Sequence, residues 1–335
     1  MTVAPIKFND VRQRFARRFE SSARLNGVTA DGLLLLDDAS HLSESTFQQP
    51  DVDTLTPENA TTPIMHTPTL IVPGLLGDSV RNLVAPLMCA RKRLEALGYQ
   101  VDIAWVNGRA GCERNAVLLR EQILRVADQH GSAVNLIGYS KGCADCLHML
   151  GSYPDTHKAV RSLVSLVGVV HGTPLAEDPS LWLRKLLQYF PVPGVPFGDG
   201  RAIVDMSYQV RQQWLADHAL PSDIYMATIA AAPQRARISR VLRRSYDKLA
   251  VINPANGNDS QVIDVDSILP FGDLLAIVNA DHWAVALPVK KRQPLIARVL
   301  VDKNDFPRDV LLHALIGHLH DVETKASGLM QASSE

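Results

Sequence analysis

The sequence predicts an α/β fold: a mostly parallel central sheet with helices on both faces. Three observations predict it. From Thr69 onward, short apolar runs alternate with stretches of helical period. Several of those runs are continuous, as expected of strands buried on both faces. Glycine and proline punctuate the joins, as at Pro73-Gly74 and Gly98.

The first segment, residues 7–25, spaces Phe8, Val11, Phe15 and Phe19 at helical intervals and predicts an extra helix docked on the body. Arg12, Arg14, Arg17 and Arg18 lie on its other faces, but Asp10 and Glu20 interrupt what would otherwise be a basic, membrane-seeking surface. Residues 40–68 are rich in Ser, Thr, Asp and Pro and read as a surface linker, so 1–66 is expected to be a helix-and-linker extension. The main domain, 67–322, opens with a strand at 69–72, a helix at 79–97, a strand at 99–106 and a helix at 113–130. A strand at 133–137, a helix at 141–150 and a strand at 160–170 follow.

The alternation lapses between 173 and 222, and an insertion over about 175–222 is expected to pack over one end of the sheet. Strands return at 224–230 and 274–278. A closing helix is expected over 306–322, capped by Asp305 with Pro307 in its first turn, and 323–335 as a flexible tail.

Bulk properties exclude several classes. Apolar residues make up 46% and charged residues 21% of the 335, enough to bury a sizeable core. A net charge of -1 offers no field for nucleic acid or an anionic membrane. Neither a signal-peptide core nor a membrane-spanning stretch is visible, so a cytoplasmic protein is expected. Four cysteines in such a chain make no disulfide framework. Cys143-Ala144-Asp145-Cys146 falls on the helix after 140, where small residues allow close packing, so no redox or metal role is expected. His313, His318 and His320 lack a matching carboxylate or cysteine set and read as a solvated helix face, not a metal site. No pyridoxal, flavin or nucleotide signature is present, and no cofactor is expected.

One motif carries chemistry. Gly138-Tyr139-Ser140-Lys141-Gly142 fits G-x-S-x-G between a predicted strand and a predicted helix. A sharp turn there, with flanking glycines removing side chains, would present the Ser140 hydroxyl at the carboxyl end of the sheet near a helix N-terminus. A serine needs a base, and His282, in Asn279-Ala280-Asp281-His282-Trp283, follows the last strand where that base belongs. The third member should be an acid between them. Asp259, in the Gly257-Asn258-Asp259 turn, is the first choice, with Asp264, Asp266 and Asp247 as rivals; Asp281 is too close to His282 to orient its ring. Two backbone N–H groups should complete an oxyanion hole, from Lys141 and from Leu75 in the loop 73–78. The Lys141 side chain is expected to point away from the serine.

The residues 69–288 resemble the α/β-hydrolases of bacterial lipase and esterase type. The likeness rests on Pro73-Gly74-Leu75-Leu76-Gly77, Gly-Tyr-Ser-Lys-Gly, His171-Gly172-Thr173-Pro174 leading into a lid-like segment, Asn258-Asp259, and Asp281-His282-Trp283. Pro73 stands where a histidine often precedes the oxyanion glycine, and Ser260 where glycine follows the acid. The resemblance implies an α/β-hydrolase fold with a lid or cap insertion. It also implies a Ser140–His282–Asp259 triad cleaving carboxylic esters through an acyl-enzyme. A thioesterase or acyltransferase would use the same triad, and a binding protein could reuse the fold. Trp182, Leu186, Leu187 and Phe190 in the insertion alternate with Arg184, Lys185 and Gln188, and imply contact with a hydrophobic ester.

Overall fold

The computed structural model describes residues 6–36, 67–79, 84–177, 194 and 196–332, the last without side chains beyond 325. In chain order the elements that matter here are β1 (Lys7–Asp10), α1 (Arg12–Leu25), β2 (Thr69–Val72), α2 (Met88–Ala96), β3 (Val101–Ile103), α3 (Cys112–His130), β4 (Val134–Tyr139) and α4 (Lys141–Ser152). They continue with β5 (Val160–Leu166), α5 (Tyr208–Asp217), β6 (Tyr225–Ala231), α6 (Arg243–Ile252), β7 (Phe271–Val278), α7 (His282–Ala286), α8 (Val289–Arg292), α9 (Pro294–Val299) and α10 (Arg308–Ala332).

The strands form one seven-stranded sheet in the order β1-β7-β6-β5-β4-β2-β3, parallel throughout. β4 lies inside it, with Ile137 in register between Ile71 of β2 and Val164 of β5. Every residue of β2 and β4 is buried, as their continuous apolar runs require. Two apolar layers cover the faces. Phe15 and Phe19 of α1, Leu94 of α2 and Leu315 of α10 pack on one side. Leu119 and Ile123 of α3, Leu147 of α4 and Trp214 of α5 pack on the other.

The structure departs from the sequence reading at the ends of elements. Residues 7–10 are strand rather than the start of a helix. Lys7 pairs with Phe271 and Asp10 with Leu274, so the N-terminal segment completes the sheet instead of forming a separate extension. Four residues are too few to display a period of two against a helical pattern that α1 continues. Among the described residues of the helix expected over 79–97, the helix begins at Met88. Pro86 disfavours helical Ala85, and Leu87 sits at φ 52°. β5 ends at Leu166 because Val167, at φ 44°, turns the chain out of the sheet. The closing helix runs on to Ala332, through most of the expected tail; Glu323 anchors this stretch by accepting from the Thr67 hydroxyl at 2.9 Å. Residues 40–66 of the expected linker lie outside the described residues. So do 178–193 of the insertion, and with them Trp182, Leu186, Leu187 and Phe190. The insertion's described return, α5, packs Trp214 against Gly151 of α4, where a β-carbon would stand 2.6 Å from the indole.

Candidate active site

Ser140 occupies the single residue between β4 and α4, at φ 56° and ψ -127°. A non-glycine residue there is strained by about 1–3 kcal/mol. The surrounding backbone holds it. The Ser140 N–H donates to Leu166 O at 3.2 Å, and its carbonyl accepts from Val169 N at 3.0 Å and Cys143 N at 3.1 Å. Both motif glycines are required by space. A β-carbon on Gly142 would lie 2.3 Å from Val72 O, and one on Gly138 would lie 2.8 Å from Cys143 N.

His282 opens α7 just beyond β7. Asp281 caps that helix, its Oδ1 accepting from Trp283 N at 3.1 Å and Ala284 N at 2.9 Å, while Oδ2 accepts from Ser239 N at 2.9 Å. The neighbouring acid is thus fully engaged as a cap, and the ring turns to another. His282 Nδ1 lies 2.6 Å from Asp259 Oδ2, and Nε2 lies 2.9 Å from Ser140 Oγ. Since the carboxylate accepts, the proton sits on Nδ1 and the Nε2 lone pair faces the hydroxyl. Tyr139 packs its ring at 5.3 Å from the imidazole and donates its hydroxyl to His282 O at 3.0 Å, a clamp that sequence reading missed.

Asp259 is buried, and its Oδ1 accepts from Gln261 N and Val262 N, both at 2.8 Å. The rivals point elsewhere. Asp264 accepts from Gly257 N at 3.0 Å, Asp266 bonds the Tyr208 hydroxyl, and Asp247 pairs with Arg235 at 2.6 Å on the surface. Ser260 stands at φ 87°.

The loop 73–78 lies directly over Ser140. A β-carbon on Gly74 would be 2.7 Å from that of Ser140. Leu76 N donates to Gly108 O at 3.1 Å and Gly77 N to Gly74 O at 3.0 Å, whereas the Leu75 and Lys141 amides have no protein acceptor among the described residues. Leu75 and Leu76 border an apolar cluster of Val169, Ala176, Ile203, Met206 and Val262. The Lys141 side chain does point away from the serine, into the core, where Nζ meets Asp145 Oδ1 at 2.6 Å.

Cys143 and Cys146 are free thiols, buried in the core. Burial pushes Cys143 up to about 12 and Cys146 well above the usual thiol range, so neither supplies a thiolate at neutral pH. His318 is no solvated face: it is buried, with Nε2 2.8 Å from the Tyr225 hydroxyl. Among the described residues no group of His, Cys, Asp or Glu is placed to hold a metal, and no helix is long and apolar enough to cross a membrane.

Among solved structures, a metagenomic carboxyl esterase matches with 30% identity over 96% of this chain and 96% of its own, at a TM-score of 0.82. The mature form of a Bacillus licheniformis lipase matches with 19% identity over 66% of this chain and 89% of its own, at a TM-score of 0.52, a likeness of fold. No family profile and no curated protein matches the chain.

Proposed function

Since this chain belongs to the esterase- and lipase-like α/β-hydrolases, we propose that it cleaves carboxylic esters through a serine-bound acyl intermediate. The observation that carries this reading is the unbroken line from Asp259 Oδ2 to His282 Nδ1 at 2.6 Å and from His282 Nε2 to Ser140 Oγ at 2.9 Å. In the first half-reaction His282 Nε2 takes the Ser140 proton as Oγ attacks the ester carbonyl. The Leu75 and Lys141 amides receive the oxyanion, and Asp259 stabilises the imidazolium without taking its proton. The imidazolium protonates the departing alcohol as the carbon–oxygen bond breaks. Water, deprotonated by the same nitrogen, then attacks the acyl carbon, and the imidazolium returns the proton to Ser140 Oγ as the carbon–Oγ bond breaks and the acid leaves.

The apolar cluster beside the Leu75 loop favours a hydrophobic acyl or alcohol portion. The test is labelling by a fluorophosphonate probe together with turnover of p-nitrophenyl esters of graded chain length. Both are expected in the parent and absent from a folded Ser140→Ala variant. Undiminished turnover in that variant overturns the reading.

A further inference from the structure

The Lys141 side chain has no part in the acyl-transfer steps, yet it is fully buried one residue after the proposed nucleophile. Its Nζ donates to Asp145 Oδ1 at 2.6 Å, one turn along α4. Burial is the largest influence and would lower the ammonium; Asp145, Cys112 and Asp205 together outweigh it and hold the lysine above its usual range. Buried ion pairs are poor stabilisers, because apolar residues of similar volume often do as well. This pair therefore calls for a role other than stability.

The hydrogen bonds continue from it. Asp145 Oδ2 accepts from Asn115 Nδ2 of α3 at 2.9 Å, and the same amide donates to Asn107 O at 3.0 Å. Asn115 Oδ1 accepts from Asn107 N at 3.2 Å, so the side chain is satisfied at both ends. Asn107 Oδ1 in turn accepts from Arg109 N at 3.0 Å, closing the turn around Gly108. Gly108 O then holds Leu76 N at 3.1 Å. The fit is tight: a β-carbon on Gly108 would stand 2.6 Å from Leu76 N and 2.8 Å from Gly77 N. The chain begins on the residue that carries one oxyanion donor and ends beside the residue that carries the other. Lys141, Asp145, Asn115 and Asn107 are all buried.

We infer that Lys141, Asp145, Asn115 and Asn107 are positioning residues whose buried hydrogen-bond chain holds the Leu75 and Lys141 amides at one separation. The inference rests on the oxyanion role proposed for those amides. Such donors act through preorganisation, and displacement of about 1 Å can cost about 10²-fold in rate. The loop 73–78 follows a strand of four residues and has Leu76 at φ 60°, so an external brace is what its geometry needs.

Two variants break the chain differently. Asn115→Leu removes its central link at similar volume. The double change Lys141→Met with Asp145→Leu removes both charges together, so neither is left buried alone. Each is compared with the parent for kcat per fluorophosphonate-titrated site, KM, pH profile and amide hydrogen exchange of the 73–78 loop. A kcat lower by about 10²-fold is expected, with KM within about threefold and the same pH midpoint. Exchange at Leu76 is expected to quicken by roughly tenfold or more. A merely structural role would lower the folded fraction but leave kcat per titrated site intact. Unchanged kcat and unchanged exchange in the folded variants overturn the inference. A parent that neither labels at Ser140 nor turns over esters sinks the proposed function instead, and the exchange result then decides alone whether the chain braces the loop.

Discussion

Asp259 holds His282 by two hydrogen bonds at once. Its carboxylate Oδ2 meets Nδ1 at 2.6 Å, and its carbonyl accepts the His282 backbone N–H at 3.0 Å. The first sets the tautomer of the ring, and the second sets where the ring starts from the backbone. Because Oδ1 is taken by Gln261 N and Val262 N, the carboxylate has no freedom to turn away.

Asp259→Asn is accordingly expected to lower kcat by about 10³–10⁴, since the amide favours the wrong tautomer of the base. Asp264→Asn should stay within about threefold of the parent, because Asp264 spends its carboxylate on turn amides. Steady-state turnover of a p-nitrophenyl ester decides. The larger loss in Asp264→Asn would contradict the assignment.

Asp266 should make stability depend on pH. Burial first, and the Asp264 charge after it, push its carboxyl up to about 7 against the lowering bond from Tyr208. The folded chain therefore keeps this proton up to about pH 7, whereas the unfolded chain releases it near pH 4. The resulting stability is present below pH 4 and is lost as pH rises through 7. Asp266→Asn, a permanently neutral stand-in, should exceed the parent at pH 8 by about 1–3 kcal/mol, with a smaller gap at pH 5. Chemical denaturation at the two pH values is the measurement, and an equal gap at both would contradict it.

Ser260→Gly should stabilise the protein. Ser260 sits at φ 87°, and its buried hydroxyl has no partner among the described residues. Relief of about 1–2 kcal/mol of strain exceeds the roughly 0.5–1 kcal/mol that glycine costs in chain entropy. A rise in Tm of about 2 °C with unchanged kcat is expected. A fall in Tm would mean the serine is accommodated without strain.

Phe19→Ala should cost about 3–5 kcal/mol, as for a large buried aromatic. Phe19 is wholly buried and stacks on Phe306 at 6.3 Å, joining α1 to the segment that leads into α10. A loss under about 1 kcal/mol by urea denaturation would show that α1 is an appendage.

Much of the site was legible because its signals are local. Gly138, Ser140 and Gly142 are spaced by the steric needs of one turn, and His282 follows the last apolar strand directly. Asp259 was less so, since several aspartates share its stretch of chain and only packing decides which one reaches the imidazole. The Tyr139 clamp left no mark beyond a tyrosine inside the motif, and the capping role of Asp281 left none beyond its place next to His282.

The residues by themselves determined the alternation of strand and helix, the parallel sheet buried on both faces, and the turn that presents Ser140. Each of these follows from hydrophobic period and backbone sterics within a few residues. Only the tertiary structure decided that residues 7–10 complete the sheet beside β7 and that Asp259 alone of the nearby acids faces His282. It also decided that Lys141 is joined through Asp145, Asn115 and Asn107 to the loop that carries Leu75. Those contacts join residues far apart in sequence, and their geometry depends on strand register and on which buried polar group finds a partner, neither of which a local pattern records.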